Sequence, residues 1–194
     1  MICLIGGKGG IGSRYSAIMK YLQIPYVIAD MDTPEINIVD YDKFIVATPT
    51  ETHVHFLKEL EGRTILCEKP VSKNPTEIPM MKHAFVVNNW EYVVRLMNID
   101  EPLMIEYDYY RSGKDGLYWD CCQLLYLDPQ AKLSQQSPKW NVKINGKFVP
   151  YRTLEESYIR MIKDFSQDRF NYLWTLEQGK EMSEVVCERM ARKS

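Results

Sequence analysis

The sequence is short of the residues and patterns that build metal centres. Three histidines, His53, His55 and His83, stand without a cysteine or carboxylate at ligand spacing, and five cysteines at 3, 67, 121, 122 and 187 show no paired metal-type pattern. A zinc site is therefore not expected, and buried reduced thiols are. No stretch approaches the roughly 20 apolar residues of a membrane-spanning helix. There is no basic block, and 24 Lys+Arg against 26 Asp+Glu leave a formal net charge of -2. That balance offers no electrostatic reason to expect nucleic acid or an anionic membrane as partner. The opening MICLIGGKGG runs from apolar residues straight into glycines, without the regions of a signal peptide, so a cytoplasmic protein is expected. Internal repeats and low-complexity linkers are missing as well. What remains is ordinary: 194 residues, 45% hydrophobic and 26% charged, enough for one domain or two small ones sharing an interface.

The apolar patterning changes character midway. Residues 2–6 and 26–29 read as buried strands either side of a helix over 13–22, and strands at 44–47 and 64–67 flank a helix over 52–61. Only about a dozen residues separate the second and third strands, room for little or no crossover helix. This alternation favours a parallel sheet with helices against it. After Pro70 come strand candidates at 84–97 and 102–111, rich in Val, Tyr and Ile, an apolar stretch at 117–127, and a hairpin signal at Asn145-Gly146. Two helices are expected over about 154–166 and 175–192. The expected fold class is thus α/β: an N-terminal Rossmann-like parallel sheet over residues 1–82, and a smaller α+β second domain with antiparallel sheet over 83–194.

Gly7, Gly9 and Gly12 satisfy G-x-G-x-x-G directly after a strand and before a helix. Such a turn lets the backbone approach a diphosphate, which rests on the amides and positive end of the helix. Asp30 ends the next strand 18 residues beyond Gly12, where a carboxylate accepts hydrogen bonds from an adenosine ribose. The carboxylate would repel a 2′-phosphate, so NAD is expected over NADP. Two rival motifs fail. A phosphate-binding loop of Walker type needs Lys then Ser or Thr where Ser13-Arg14 stands, and the Tyr110 and Lys114 pair, one turn apart in short-chain dehydrogenases, is separated by helix-breaking Gly113.

The run FIVATPTETH at 44–53, followed by TILCEKPVS at 64–72, resembles the Gfo/Idh/MocA (glucose-fructose oxidoreductase and inositol dehydrogenase) family. SGKDGLYWD at 112–120 and TLEQGK at 175–180 are similar to its later segments, so the likeness spans nearly the whole chain. The resemblance implies a Rossmann domain followed by an α/β domain whose open sheet walls the substrate site and often forms an oligomer interface. It implies that Gly7, Gly9, Gly12 and Asp30 hold the dinucleotide, with Thr48, Pro49 and Glu68 at its nicotinamide half. Lys69 would hydrogen-bond the reacting hydroxyl or carbonyl oxygen, where a cation stabilises the charge that develops as hydride moves. Asp120 would be its catalytic companion. The implied partner is a small polar substrate such as a sugar or sugar nucleotide, and the implied assembly a homodimer or homotetramer. Asn88, Asn89, Trp90 and Tyr92 fall where the family's second-domain entry strand faces substrate, and equally suit a strand core. Tyr109, Tyr110 and Arg111 suit a polar substrate or a sheet face.

Two departures stand out. Aligned on Asp120, the family's general acid or base histidine falls on Leu124, or on Leu117 in the other registration, and leucine moves no proton. The chain is also short for the family, which implies loss of a β-α unit from the first domain and of much of the second sheet. Alternatives therefore include a catalytically silent dinucleotide-binding or interaction protein, and a reductase of the biliverdin reductase kind whose acceptor is protonated by solvent.

Overall fold

The computed structural model describes residues 1–33, 37, 40–100, 104–108, 132–134 and 141–191. Its first sheet is built on short, mainly apolar runs. β1 (Ile2–Ile5) is buried along its length and sits inside the sheet, with β2 (Tyr26–Ala29) on one side and β3 (Lys43–Val46) on the other. β4 (Thr64–Cys67) and β5 (Ala84–Val86) continue beyond β3, and a two-residue edge strand, β10 (Trp174–Thr175), closes the row. The order is β2-β1-β3-β4-β5-β10, with every pair parallel except β10 on β5. Strands without polar alternation suit a sheet covered on both faces. Phe44, Ile45, Ile65 and Leu66 are fully buried, each contributing about 1.5–3 kcal/mol by removal from water.

The chain leaves β1 for one neighbour and, after crossing over β1, leaves β3 in the opposite direction. The carboxyl ends of β1 and β3 therefore flank a topological switch point, the place where open α/β sheets bind ligands. The connection from β2 to β3 spans residues 30–42, and its described residues contain no α-helix, in keeping with the short crossover read from the sequence. The sheet continues past residue 82, since β5 and β10 both lie beyond it.

Helices cover this sheet. α1 (Gly10–Tyr21) buries Gly12, Tyr15, Ile18 and Met19, an i, i+3, i+6, i+7 stripe. α2 (Thr50–Glu59) follows β3. α3 (Asn89–Leu96) occupies most of the expected strand over 84–97. Val, Trp and Tyr favour strands, but burial of Trp90, Val93 and Val94 recurs at helical spacing, and the Asn88 side chain accepts the Glu91 N–H at 3.3 Å as an N-cap. α4 (Tyr151–Ser166) lies against α1 and α3 through Leu154, Tyr158, Met161 and Phe165. α5 (Leu176–Ala191) crosses β5 so closely that a Cβ at Gly179 would stand 2.6 Å from Val86 Cγ2.

The second sheet has the order β7-β6-β8-β9, from β6 (Ile105–Asp108), β7 (Lys132–Ser134), β8 (Asn141–Ile144) and β9 (Lys147–Phe148). Its β6–β8 and β8–β9 pairs are antiparallel, as expected, while β7 lies parallel to β6. Asn145 and Gly146, at φ 50° and 74°, form the two-residue turn between β8 and β9 that the sequence announced. Among the described residues no helix is long and apolar enough to cross a membrane.

Candidate active site

Four strand ends converge at the switch point. The glycine turn leaves β1 through Gly6, a position outside the motif as read from the sequence. Gly6 has φ 79°, and a Cβ there would meet the Ala47 carbonyl oxygen at 2.8 Å, so this doublet's first glycine is fixed by backbone conformation and by β3. Gly12 is fixed by contact: its Cβ would lie 2.1 Å from the Gly6 carbonyl oxygen. Gly7 faces the Ile28 side chain at 2.7 Å. Gly9 and Gly10 differ. A Cβ at Gly9 would have nothing nearer than 3.4 Å and one at Gly10 nothing within 4 Å. No packing within the described chain demands glycine at these two positions, so their bareness leaves open backbone facing outward.

That backbone is the start of α1. The Ser13 N–H makes the first helical bond to the Gly9 carbonyl at 2.8 Å, and no side chain caps the helix. The N–H groups of Gly10, Ile11 and Gly12 therefore lack intrahelical acceptors and lie at the positive end of the dipole. Asp30, just after β2, faces the same turn. Its Oδ2 accepts the Lys8 backbone N–H at 3.0 Å and its Oδ1 accepts the Met31 N–H at 2.9 Å, which fixes the carboxylate and leaves further lone pairs for hydroxyl donors. The Lys8 ammonium pairs with exposed Asp32, whose carboxyl is held below its usual range chiefly by that hydrogen bond.

Across the crevice, Thr48 and Pro49 link β3 to α2. The Thr52 hydroxyl donates to the Pro49 carbonyl at 2.7 Å and lies 2.7 Å from the Thr48 hydroxyl. Glu68 and Lys69 follow β4. Glu68 is 7% exposed; its Oε1 accepts the hydroxyl of fully buried Tyr15 from α1, and its Oε2 accepts the Lys69 backbone N–H at 2.9 Å. Burial, then the Glu68 charge, raise the Tyr15 phenol well above its ordinary pKa, so it stays a donor. The Lys69 ammonium donates to Asn89 Oδ1 at 3.0 Å, and the Lys69–Pro70 peptide is cis.

His53, which closes the 44–53 run and to which the sequence assigned no role, ties the two loops together. It is 1% exposed, with Nε2 2.8 Å from the Thr48 carbonyl oxygen and Nδ1 3.0 Å from that of Pro70. Burial lowers its pKa below the ordinary 6.5 despite the upward pull of both carbonyls, Glu68 and Glu51. A neutral ring donates to only one carbonyl at a time; the imidazolium donates to both. Engaged in this way, His53 does not replace the proton-transfer histidine missing from the sequence.

Gly7, Gly9, Asp30, Thr48, Pro49, Glu68 and Lys69 thus follow the carboxyl ends of neighbouring strands β2, β1, β3 and β4, and Gly12 lies in the first turn of α1. Asp120, with Leu117 and Leu124, lies outside the described residues, as do Tyr109, Tyr110 and Arg111. Of the cysteines described, Cys3 and Cys67 are buried free thiols and Cys187 is half-buried; burial pushes Cys3 up to about 11 and Cys67 well above its ordinary value. Cys121 and Cys122 fall outside the described residues.

No family model and no curated protein sequence matches the chain. Solved structures do. A myo-inositol dehydrogenase from Corynebacterium glutamicum superposes with a TM-score of 0.70 at 12% identity, over 99% of this chain and 96% of that one. A UDP-N-acetylglucosamine 3-dehydrogenase from Acidithiobacillus ferrooxidans gives 0.70 at 12% identity over 96% and 95%. A Thermus thermophilus dehydrogenase in complex with NAD and UDP-GlcNAcA gives 0.65 at 13% identity over 96% and 93%. At these identities the likeness is one of fold: the chain has the two-sheet, Rossmann-like architecture of these dehydrogenases.

Proposed function

We propose that the protein is an NAD-dependent oxidoreductase of Gfo/Idh/MocA type, acting on a hydroxyl or carbonyl of a small polar molecule such as a sugar or sugar nucleotide. The observation that carries this reading is the pairing of a bare, uncapped glycine turn at Gly9 and Gly10 with Lys69 two strands away, on either side of the switch point. The residues fit the coenzyme. The amides of Gly10, Ile11 and Gly12 suit a diphosphate, Asp30 suits ribose hydroxyls and opposes a 2′-phosphate, and Thr48, Pro49 and Glu68 would hold the nicotinamide half.

Bound NAD would supply hydride chemistry that side chains lack. The protein's part is to place and polarise. The Lys69 ammonium stabilises the alkoxide-like charge on the reacting oxygen, and Lys69, Asp120 or water carries the proton. Solved relatives by fold include dehydrogenases bound to NAD with a sugar nucleotide or with myo-inositol, which supports this substrate class. A homodimer or homotetramer in the cytoplasm belongs to the same family-level reading.

A catalytically silent binding protein is the second reading, favoured by Leu124 and Leu117 where the family places its histidine. The two separate in one experiment: formation or consumption of NADH over a panel of sugars, cyclic polyols and sugar nucleotides, with Lys69→Met alongside. Turnover that Lys69→Met abolishes while NADH still binds supports the enzyme. Tight NADH binding with no turnover on any of the panel supports the silent protein.

A further inference from the structure

Lys69 does not lie loose at its strand end; it is held from a second element. Its ammonium meets Asn89 Oδ1 at 3.0 Å, and Asn89 is 1% exposed as the first residue of α3, whose start is fixed by the Asn88 cap. The orientation of the carboxamide is settled by chemistry, because an ammonium only donates and so must face the amide oxygen. That leaves the Asn89 amide nitrogen, with two N–H donors, and among the described residues it has no partner. A buried donor without an acceptor is costly, and a leucine or valine would fill the space without that cost. The donor belongs to the same planar carboxamide whose oxygen holds the Lys69 ammonium.

Resting on the oxidoreductase reading for its consequence, we propose that Asn89 is a positioning residue for Lys69 and that its amide N–H is a second donor to the oxygen Lys69 polarises. The oxygen of Asn89 takes one N–H of the ammonium and so orients the remaining donors. The two roles come apart by substitution: Asn89→Asp keeps an acceptor for Lys69 and removes the donor, while Asn89→Leu removes both.

The test is acetylation of Lys69 by acetic anhydride, followed by peptide mass spectrometry on the full chain, together with steady-state kinetics. The expected result is labelling several-fold faster in Asn89→Leu than in the natural protein, and no faster in Asn89→Asp. With a substrate, kcat should fall by about 100-fold in Asn89→Leu and by less in Asn89→Asp, the NADH dissociation constant staying unchanged in both. Should Asn89→Leu not fold, kcat in Asn89→Asp decides the donor role. Equal labelling of the natural protein and Asn89→Leu, or a kcat in Asn89→Asp equal to that of the natural protein, would overturn the proposal. Absence of turnover in the natural protein would sink the oxidoreductase reading instead and leave the labelling result to judge the Lys69–Asn89 contact alone.

Discussion

Replacing Gly12 by alanine places a methyl group where there is no room for it, and replacing Gly9 places one where there is. At Gly12 the added carbon would stand 2.1 Å from the Gly6 carbonyl oxygen, 2.8 Å from Gly7 Cα and 2.9 Å from the Gly6 carbonyl carbon, all of them backbone. None can swing aside as a side chain would. Helix α1 must therefore back away from β1 by roughly an ångström, taking Tyr15 and Met19 out of their buried seats. Alanine's better helix propensity returns about 1 kcal/mol, while overpacking of this kind costs typically ~1–3 kcal/mol and sometimes more. A direct backbone clash belongs at the upper end, so a net loss of about 2 kcal/mol is expected, or roughly 4–8 °C in Tm for a chain of this size. At Gly9 the nearest atom would be at 3.4 Å and φ is -70°, so alanine fits and Tm should stay within about 2 °C. Ligand response reverses the emphasis. NAD at 100 times its dissociation constant should stabilise the natural protein by about 2.7 kcal/mol, and Gly9→Ala should abolish this gain because its methyl group occupies the diphosphate's approach. Thermal unfolding of the three proteins with and without NAD reads both effects. A Gly12→Ala protein as stable as the natural one, or a Gly9→Ala protein that keeps the full NAD response, would refute the reasoning.

Two further expectations concern the buried polar contacts that join the loops. The folded-state pKa of His53 lies below 6.5, so as pH falls through that value the unfolded chain takes up a proton that the folded chain resists. The stability this group contributes is present above the unfolded pKa and is lost on acidification; Tm should drop between about pH 7.5 and pH 5.5, and drop less steeply in His53→Gln. Parallel slopes in the two proteins would exclude His53 as the cause. Tyr15→Phe leaves Glu68 Oε1 without its buried donor and should cost about 1–3 kcal/mol, measured as a lower urea midpoint at unchanged slope. An unaltered midpoint would show that the contact contributes nothing.

The two-residue strand β10 offers no pattern to read, whereas β1 to β4 were legible because each holds a short apolar run, and the β8–β9 turn because Asn145-Gly146 tolerates two positive φ angles. The helix at 89–96 was not. Its residues have high strand propensity, and the signals that outweigh it, an asparagine cap and burial at helical spacing, are visible only once the buried face is known. Helix α1 begins at Gly10 rather than at Ser13: the close seat of Gly12 on the Gly6-Gly7 backbone outweighs the poor helix propensity of glycine there.

Within the candidate site, the residues legible in sequence are those tied to a strand end: the glycine turn, Asp30, Thr48-Pro49 and Glu68-Lys69. The contacts that organise them were not legible. Tyr15 and Glu68 are 53 residues apart and meet because the sheet seats β4 two places from β1, and Lys69 and Asn89 are 20 apart and meet because β5 pairs with β4. The role of His53 is hidden in sequence because its partners are the Thr48 and Pro70 backbone carbonyls, which no side-chain spacing reveals. The constraint on Gly6 is equally hidden, because it comes from the Ala47 carbonyl just past β3.

Titration of the purified protein with NADH and with NADPH, followed by coenzyme fluorescence, puts the central claim to its most direct test. Saturable binding of NADH, with NADPH weaker because the fixed Asp30 carboxylate meets its extra phosphate, is the predicted result. Failure of both coenzymes to bind would contradict the account.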